Sequence, residues 1–208
     1  MPFCDNDPSH KELYDMGGTI DLVSTENLKH SLYEETPFVP DAEHQWILEA
    51  FKKQYNAMHA VAMRLIELIA IGLGKERTFF NDWFERDSLS TYRAIHYLPR
   101  SAGVVNSSRL DSDQFRLTTP EHHDSGFLTL LTTFGYPGLQ VEMADGEFKS
   151  ILPVHNQIVV NLGYTISRIT NYKLKATKHR VLDIGVERFS SPFFFDPKYP
   201  AVIPSNLI

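Results

Sequence analysis

The chain has 208 residues, of which 42% are hydrophobic and 22% charged, and its formal net charge is −6. These values suit one folded domain; no basic tract stands out to bind nucleic acid, and the single cysteine excludes an intrachain disulfide. The polar N-terminus has no apolar signal core, and the longest apolar-rich stretch is shorter than a membrane span of about 20 residues, so we expect a cytoplasmic protein without membrane contact.

Residues 1–88 are predicted to form an irregular and helical segment. Turn formers dominate residues 1–40, and Asp41 suits the N-cap position of a helix. Hydrophobic residues then recur at helical spacing up to a pair of glycines, which predicts one long amphipathic helix over about 42–72. Its apolar stripe is predicted to pack on the outer face of a sheet, and a short helix around Thr78–Phe84 is expected to follow.

The residues after Asp87 read as short β-strands. They are rich in Val, Ile, Leu, Thr, Phe and Tyr, and turn signals separate them. The predicted strands are 91–98, 127–133, 138–143, 147–152, 157–162, 173–183 and 187–195. Short strands with short loops predict a mainly β fold, an antiparallel sandwich or barrel with flanking helices. We expect a single domain, 1–208, with its β core at 89–197 and a tail at 198–208.

A polar, charged run with a strand-like end, Glu121–Leu131, contains the first candidate site residues. Residues i and i+2 of an extended chain point to the same face, so His122 and Asp124 project together while His123 projects away. An imidazole beside a carboxylate suits a borderline divalent metal. A register slip of one residue would instead make His123 the ligand.

A third metal ligand has to come from elsewhere in the chain, and His179, in another predicted strand, is the best candidate. Two histidines and one carboxylate on one face of a metal leave the other positions open for O₂ and substrate. Non-haem iron(II) oxygenases use this arrangement. Structural zinc is disfavoured because no thiolate lies nearby and such sites close all four positions.

A second pair of polar residues, Arg188 and Ser190, is also spaced to share one face of a strand. An arginine fork with an adjacent hydroxyl can hold a carboxylate through charge-assisted hydrogen bonds. Residues 183–187, with a glycine, resemble the turn of a hairpin that joins the strand of His179 to that of Arg188. This hairpin would place Arg188 near the metal-facing side.

Several motifs follow one another in the chain between about Leu89 and Pro197. They are His-His-Asp-Ser-Gly (122–126), Leu-Thr-Leu-Leu (128–131), Asn-Leu-Gly (161–163), His-Arg-Val (179–181) and Arg-Phe-Ser (188–190). In this order they resemble the 2-oxoglutarate- and iron(II)-dependent dioxygenases, and within them the isopenicillin-N-synthase-like branch. A cupin site of three histidines and a glutamate is disfavoured by the same order.

The resemblance implies a double-stranded β-helix, also called a jelly roll, with the long helix on its outer face. It implies Fe(II) bound by His122, Asp124 and His179. The implied activity is that of an oxidoreductase, a dioxygenase that uses O₂ to oxidise a small-molecule substrate while 2-oxoglutarate is decarboxylated to succinate. Ascorbate is expected as a stimulant.

The resemblance also implies that the distal carboxylate of 2-oxoglutarate lies on Arg188 and Ser190, with Tyr97 beside it. One alternative stays open because isopenicillin N synthase resembles this pattern, yet holds its own substrate's carboxylate there and uses no 2-oxoglutarate. Another is a truncated, non-catalytic binding form of the fold, since we expect no counterpart here to the family's N-terminal strand or C-terminal helical segment.

Overall fold

Nine strands and three helices make up the part of the chain that the computed structural model describes, residues 11–18, 33, 36, 45–85, 88–100, 116–199 and 201–203. The helices are α1 (Gln45–Gly72), α2 (Asn81–Phe84) and α3 (Tyr164–Ile169). The strands are β1 (Lys11–Met16), β2 (Thr91–Tyr97), β3 (Leu117–His122), β4 (Leu128–Thr132), β5 (Leu139–Glu142), β6 (Phe148–Ser150), β7 (Ile158–Leu162), β8 (His179–Leu182) and β9 (Arg188–Phe195). The predicted N-cap, Asp41, lies outside the described residues. No helix in the described part combines the length and apolarity that a membrane span requires.

The strands form two antiparallel sheets on either side of a cavity. The larger sheet has the order β1-β2-β9-β4-β7, and the smaller has the order β3-β8-β5-β6. Side chains from both sheets line the cavity between them. The mainly β, antiparallel fold predicted from the sequence is therefore confirmed.

Helix α1 covers the outer face of the larger sheet, as its apolar stripe predicted. Its Tyr55 packs edge-on against Phe193 of β9, with ring centroids 5.2 Å apart, and its His59 packs edge-on against Phe195 at 5.4 Å. Side chains alternate along a strand, so Phe193 and Phe195 reach the helix while Phe194 lines the cavity. Strand β9 thus carries the hydrophobic core on one face and the cavity wall on the other.

Three elements were not predicted. The interpretation of residues 1–40 as irregular was wrong for Lys11–Met16, which pair with β2 and extend the larger sheet. Strand β3 and helix α3 were also missed. The predicted strand at 173–183 is confined to His179–Leu182. The predicted hairpin between the strands of His179 and Arg188 was wrong, because β8 belongs to the smaller sheet and β9 to the larger. The division of the chain into a core at 89–197 and flanking segments stays a prediction, although β1 adds a strand from outside that range.

Candidate metal centre

Two imidazoles and one carboxylate meet at one end of the cavity. His122 is the last residue of β3 and lies opposite His179, the first residue of β8, with ring centroids 4.3 Å apart. Asp124 lies in the turn between β3 and β4. One ligand atom from each of these residues lies within 4.8 Å of the others. The structure thus brings together the three side chains predicted to bind metal, and exposed His123 stays outside the cluster.

The main chain orients both imidazoles toward the carboxylate. Nδ1 of His122 lies 2.8 Å from the carbonyl oxygen of Pro120, and Nδ1 of His179 lies 3.1 Å from that of Thr177. A carbonyl can only accept, so each Nδ1 carries a proton and each neutral ring keeps its lone pair on Nε2. These Nε2 atoms lie 3.5 and 3.7 Å from Oδ1 of Asp124.

The carboxylate of Asp124 is fixed by two donors from the larger sheet. Its Oδ2 accepts from the Thr129 hydroxyl at 2.7 Å and from the Asn161 amide at 2.8 Å. Burial acts to raise the pKa of Asp124, but hydrogen bonds from the protonated form of His122 and from Asn161 and Thr129 outweigh it and hold the pKa well below its usual range. The group therefore stays ionised, and Oδ1 alone faces the imidazoles.

The two imidazoles differ in basicity. The hydrogen bond to Asp124 raises the pKa of His122, whereas burial lowers the pKa of His179. A metal binds the neutral imidazole, so His179 is already in the competent form near neutral pH. Below the pKa of His122, metal binding has to displace a proton from that ring.

The chemistry of this donor set fits iron(II). Two imidazole nitrogens and one carboxylate oxygen suit a borderline divalent metal, and within the described residues no thiolate or further carboxylate joins the cluster. The three donors lie on one side, and the cavity lies on the other. This leaves coordination positions free, as a catalytic site requires and a closed structural zinc site does not allow.

Arg188 forms a second cluster on the same cavity wall. It is only 4% exposed, and its guanidinium carbon lies 3.5 Å from the centroid of the Tyr97 ring. The hydroxyl of Ser190 donates to that of Tyr97 at 3.5 Å. Nη2 makes a long contact of 3.5 Å with the Leu182 carbonyl, and no carboxylate of the described residues forms an ion pair with Arg188. A buried cation without a counter-ion is costly, which suits this place to an anionic ligand.

The cavity that joins the two clusters encloses about 930 Å³ of space between protein atoms, part of it open to solvent. Apolar side chains from both sheets form most of its wall, among them Leu13, Ile95, Leu139, Val159 and Phe194. A mainly apolar cleft with a few convergent polar groups is typical of sites for small molecules. The metal cluster and the arginine cluster therefore share one mainly apolar space.

Two residues that shape the site, Thr129 and Asn161, are not among the site residues predicted from the sequence. They face each other across the β4–β7 ladder. Each is a polar residue inside an apolar strand, in Leu-Thr-Leu-Leu-Thr and in Ile-Val-Val-Asn-Leu. A buried polar side chain needs a hydrogen-bond partner. A polar residue that interrupts an apolar strand is therefore the feature of the sequence that indicates a role in the site.

Comparison with known proteins identifies relatives of this chain. The model of the 2OG-Fe(II) oxygenase superfamily matches residues 94–197. A 2-oxoglutarate-Fe(II) type oxidoreductase of Aspergillus fumigatus is 34% identical over 160 residues, which cover 73% of this chain and 45% of that protein. An isopenicillin N synthase of a Flavobacterium species is 32% identical over 165 residues, covering 78% of this chain and 49% of the synthase.

Among solved structures, that of a full-length Neurospora crassa protein in complex with alpha-KG superimposes with a TM-score of 0.79 at 23% identity, over 95% of this chain and 57% of that one. At this identity the likeness concerns the fold, and it confirms the predicted double-stranded β-helix. The chain spans about half the length of the curated relatives that it matches.

Proposed function

Because the chain belongs to the 2OG-Fe(II) oxygenase superfamily, we propose that it is a non-haem iron(II), 2-oxoglutarate-dependent dioxygenase. The proposed reaction oxidises a small organic substrate with O₂ and converts 2-oxoglutarate to succinate and CO₂. One observation carries the proposal: two imidazole nitrogens and one carboxylate oxygen converge on a cavity that also contains a buried arginine with no counter-ion among the described residues.

In this proposal His122, Asp124 and His179 hold the metal. Bound iron(II) supplies the redox chemistry that activates O₂, which protein side chains alone do not provide. Thr129 and Asn161 occupy Oδ2 of Asp124, so the carboxylate offers a single oxygen. The three side chains would hold the ion at the end of the cavity, where O₂ and a small substrate could reach it.

Arg188 is proposed to bind the distal carboxylate of 2-oxoglutarate, with the Ser190 hydroxyl as a second donor. The Tyr97 ring lies 3.5 Å from the guanidinium carbon and stabilises its charge by a cation–π contact. The apolar wall around these groups excludes water and strengthens the charge-assisted hydrogen bonds. The rest of the cavity is left for a small organic substrate whose surface is mainly apolar.

The proposal is tested by metal and 2-oxoglutarate binding, measured by calorimetry without O₂, followed by succinate formation in air with iron(II) and ascorbate. His179→Ala should abolish metal binding, and His155→Ala, which changes an exposed histidine outside the cluster, should not. Wild-type protein that binds no metal would refute the proposal. Metal binding without 2-oxoglutarate binding would favour an oxidase of the isopenicillin N synthase type instead.

A further inference from the structure

The turn that carries Asp124 is held from Asp124 to Phe127 by the residues that begin α3. Each carbonyl from Asp124 to Phe127 accepts one hydrogen bond from Gly163–Thr165. The distances are 2.7 Å from Tyr164 N to Asp124 O, 2.9 Å from Thr165 Oγ1 to Ser125 O, 3.0 Å from Thr165 N to Gly126 O and 3.0 Å from Gly163 N to Phe127 O. All four of these carbonyls therefore have a hydrogen-bond partner, which fixes the main chain from Asp124 to Phe127 against the start of α3.

A half-buried carboxylate holds the same turn from the other side. Oδ1 of Asp196, the residue after β9, accepts the main-chain N–H of Phe127 at 3.2 Å. The main chain of Asp196 is itself anchored, because its N–H donates to the Ser90 hydroxyl at 3.0 Å and its carbonyl accepts from the Ser88 hydroxyl at 2.7 Å. Asp196 thereby connects the turn to the start of β2 and the end of β9.

Two glycines show how closely these segments approach. A Cβ atom at Gly126 would collide with the Asp196 carboxylate, and one at Gly163 would collide with the Gly126 carbonyl. No methyl group fits on either side of the turn. The turn therefore cannot move toward α3 or toward Asp196 without displacing one of them.

We infer that Asp196 and Thr165 are positioning residues of the metal centre. Neither touches the three proposed ligands with its side chain; they place the main chain that presents Asp124 Oδ1 to the two imidazoles. The inference rests on the proposed function, because it requires a metal on Asp124. Loss of an outer partner of a metal site typically lowers metal affinity by about 10–100-fold, and that is the effect expected here.

The test uses Co(II) as the probe and measures its affinity by calorimetry and its coordination by the visible d–d spectrum. Asp196→Val removes the carboxylate that accepts the main-chain N–H of Phe127, and Thr165→Val removes the hydroxyl that donates to the Ser125 carbonyl. Both should weaken Co(II) binding, Asp196→Val by about 10–100-fold and Thr165→Val by about tenfold, with an altered spectrum. Asp196→Asn and Thr165→Ser keep an acceptor and a hydroxyl, respectively, and should bind as the wild type does.

Ile66→Ala is the control for lost stability, since Ile66 is buried in the core on α1. It should lower the melting temperature and leave Co(II) affinity unchanged. Should Asp196→Val fail to fold, Thr165→Val, at a half-buried position, carries the test. The inference would be overturned if both valine variants kept the wild-type Co(II) affinity and spectrum. It would also be overturned if Asp196→Asn lost as much Co(II) affinity as Asp196→Val. Wild-type protein that binds no Co(II) would overturn it together with the proposed function, whereas the other outcomes leave that function intact.

Discussion

Replacing Arg188 by Met should affect the free protein and its 2-oxoglutarate complex in opposite directions. Arg188 is 4% exposed, and its guanidinium lies on the Tyr97 ring and makes one long contact with the Leu182 carbonyl. Burying a cation costs several kcal/mol even after relaxation, and a cation–π contact returns about 0.5–2 kcal/mol. A net cost of about 1–3 kcal/mol therefore remains in the free protein.

Methionine has an apolar side chain of comparable length and should remove that cost. For a domain of this size, 1 kcal/mol corresponds to about 2–4 °C in melting temperature, so Arg188→Met should melt about 2–12 °C higher than the wild type. The same change removes the partner of a buried carboxylate in the complex. That loss of about 2–5 kcal/mol corresponds to roughly 30- to 4,000-fold weaker 2-oxoglutarate binding.

Thermal melts with and without 2-oxoglutarate, together with calorimetry on the metal-loaded protein, measure both effects. Arg93→Met is the matched control, because Arg93 lines the same cavity but forms two hydrogen bonds of 2.6 Å with Asp15. It should not raise the melting temperature, and it should leave 2-oxoglutarate binding in place. A lower melting temperature for Arg188→Met combined with unchanged 2-oxoglutarate affinity would refute the reasoning.

Two further predictions concern other parts of the structure. Asn161→Leu removes one of the two donors to Asp124 Oδ2 and should weaken metal binding by about 10–100-fold in calorimetry, an effect that an unchanged affinity would contradict. The two ring nitrogens of His96 lie 2.8 Å from a carboxylate oxygen of Glu12 and 2.9 Å from one of Glu187. The hydrogen bond to Glu12, and to a smaller extent that to Glu187, raises the pKa of His96 above the ordinary value of 6.5. The attraction between protonated His96 and the two glutamates should stabilise the fold fully below pH 6.5 and be lost as pH rises through the raised pKa. The difference in urea midpoint between the wild type and His96→Gln should therefore shrink from pH 6 to pH 9. A difference that stays constant over this range would show that the pair Glu12–Glu187 does not act through the imidazolium.

Strand periodicity was a sound guide wherever one face of a strand meets the core. Along β9 the alternation separates Arg188, Ser190 and Phe194, which line the cavity, from Phe193 and Phe195, which pack in the core. The same period suggested that the first two proposed ligands project together. They do meet, but the second one lies in a turn whose position depends on hydrogen bonds from distant residues. Its geometry is therefore tertiary and not a property of the local sequence.

The missed elements share one physical cause, because each is stabilised by distant partners and not by its own pattern. Strand β1 has polar residues on both faces, so no clean alternation marks it. Lys11 and Leu13 line the cavity, whereas Tyr14 and Met16, on the opposite face, pack against the core beside the charged Glu12. Strand β3 contains Pro120, which cannot donate to a ladder and disfavours a strand on sequence grounds. Helix α3 has only six residues, too few for a recognisable helical period.

The proposed metal ligands belong to different halves of the molecule. His122 and His179 extend from the smaller sheet, whereas the side chain of Asp124 is held by β4 and β7 of the larger one. An ion on these three residues would be a cross-link between the sheets, and the free energy of binding it would add to the free energy of unfolding. Under iron limitation we therefore expect the sheets to separate more often. Proteases would then cleave the opened form, and the cellular lifetime of the protein would follow the iron supply.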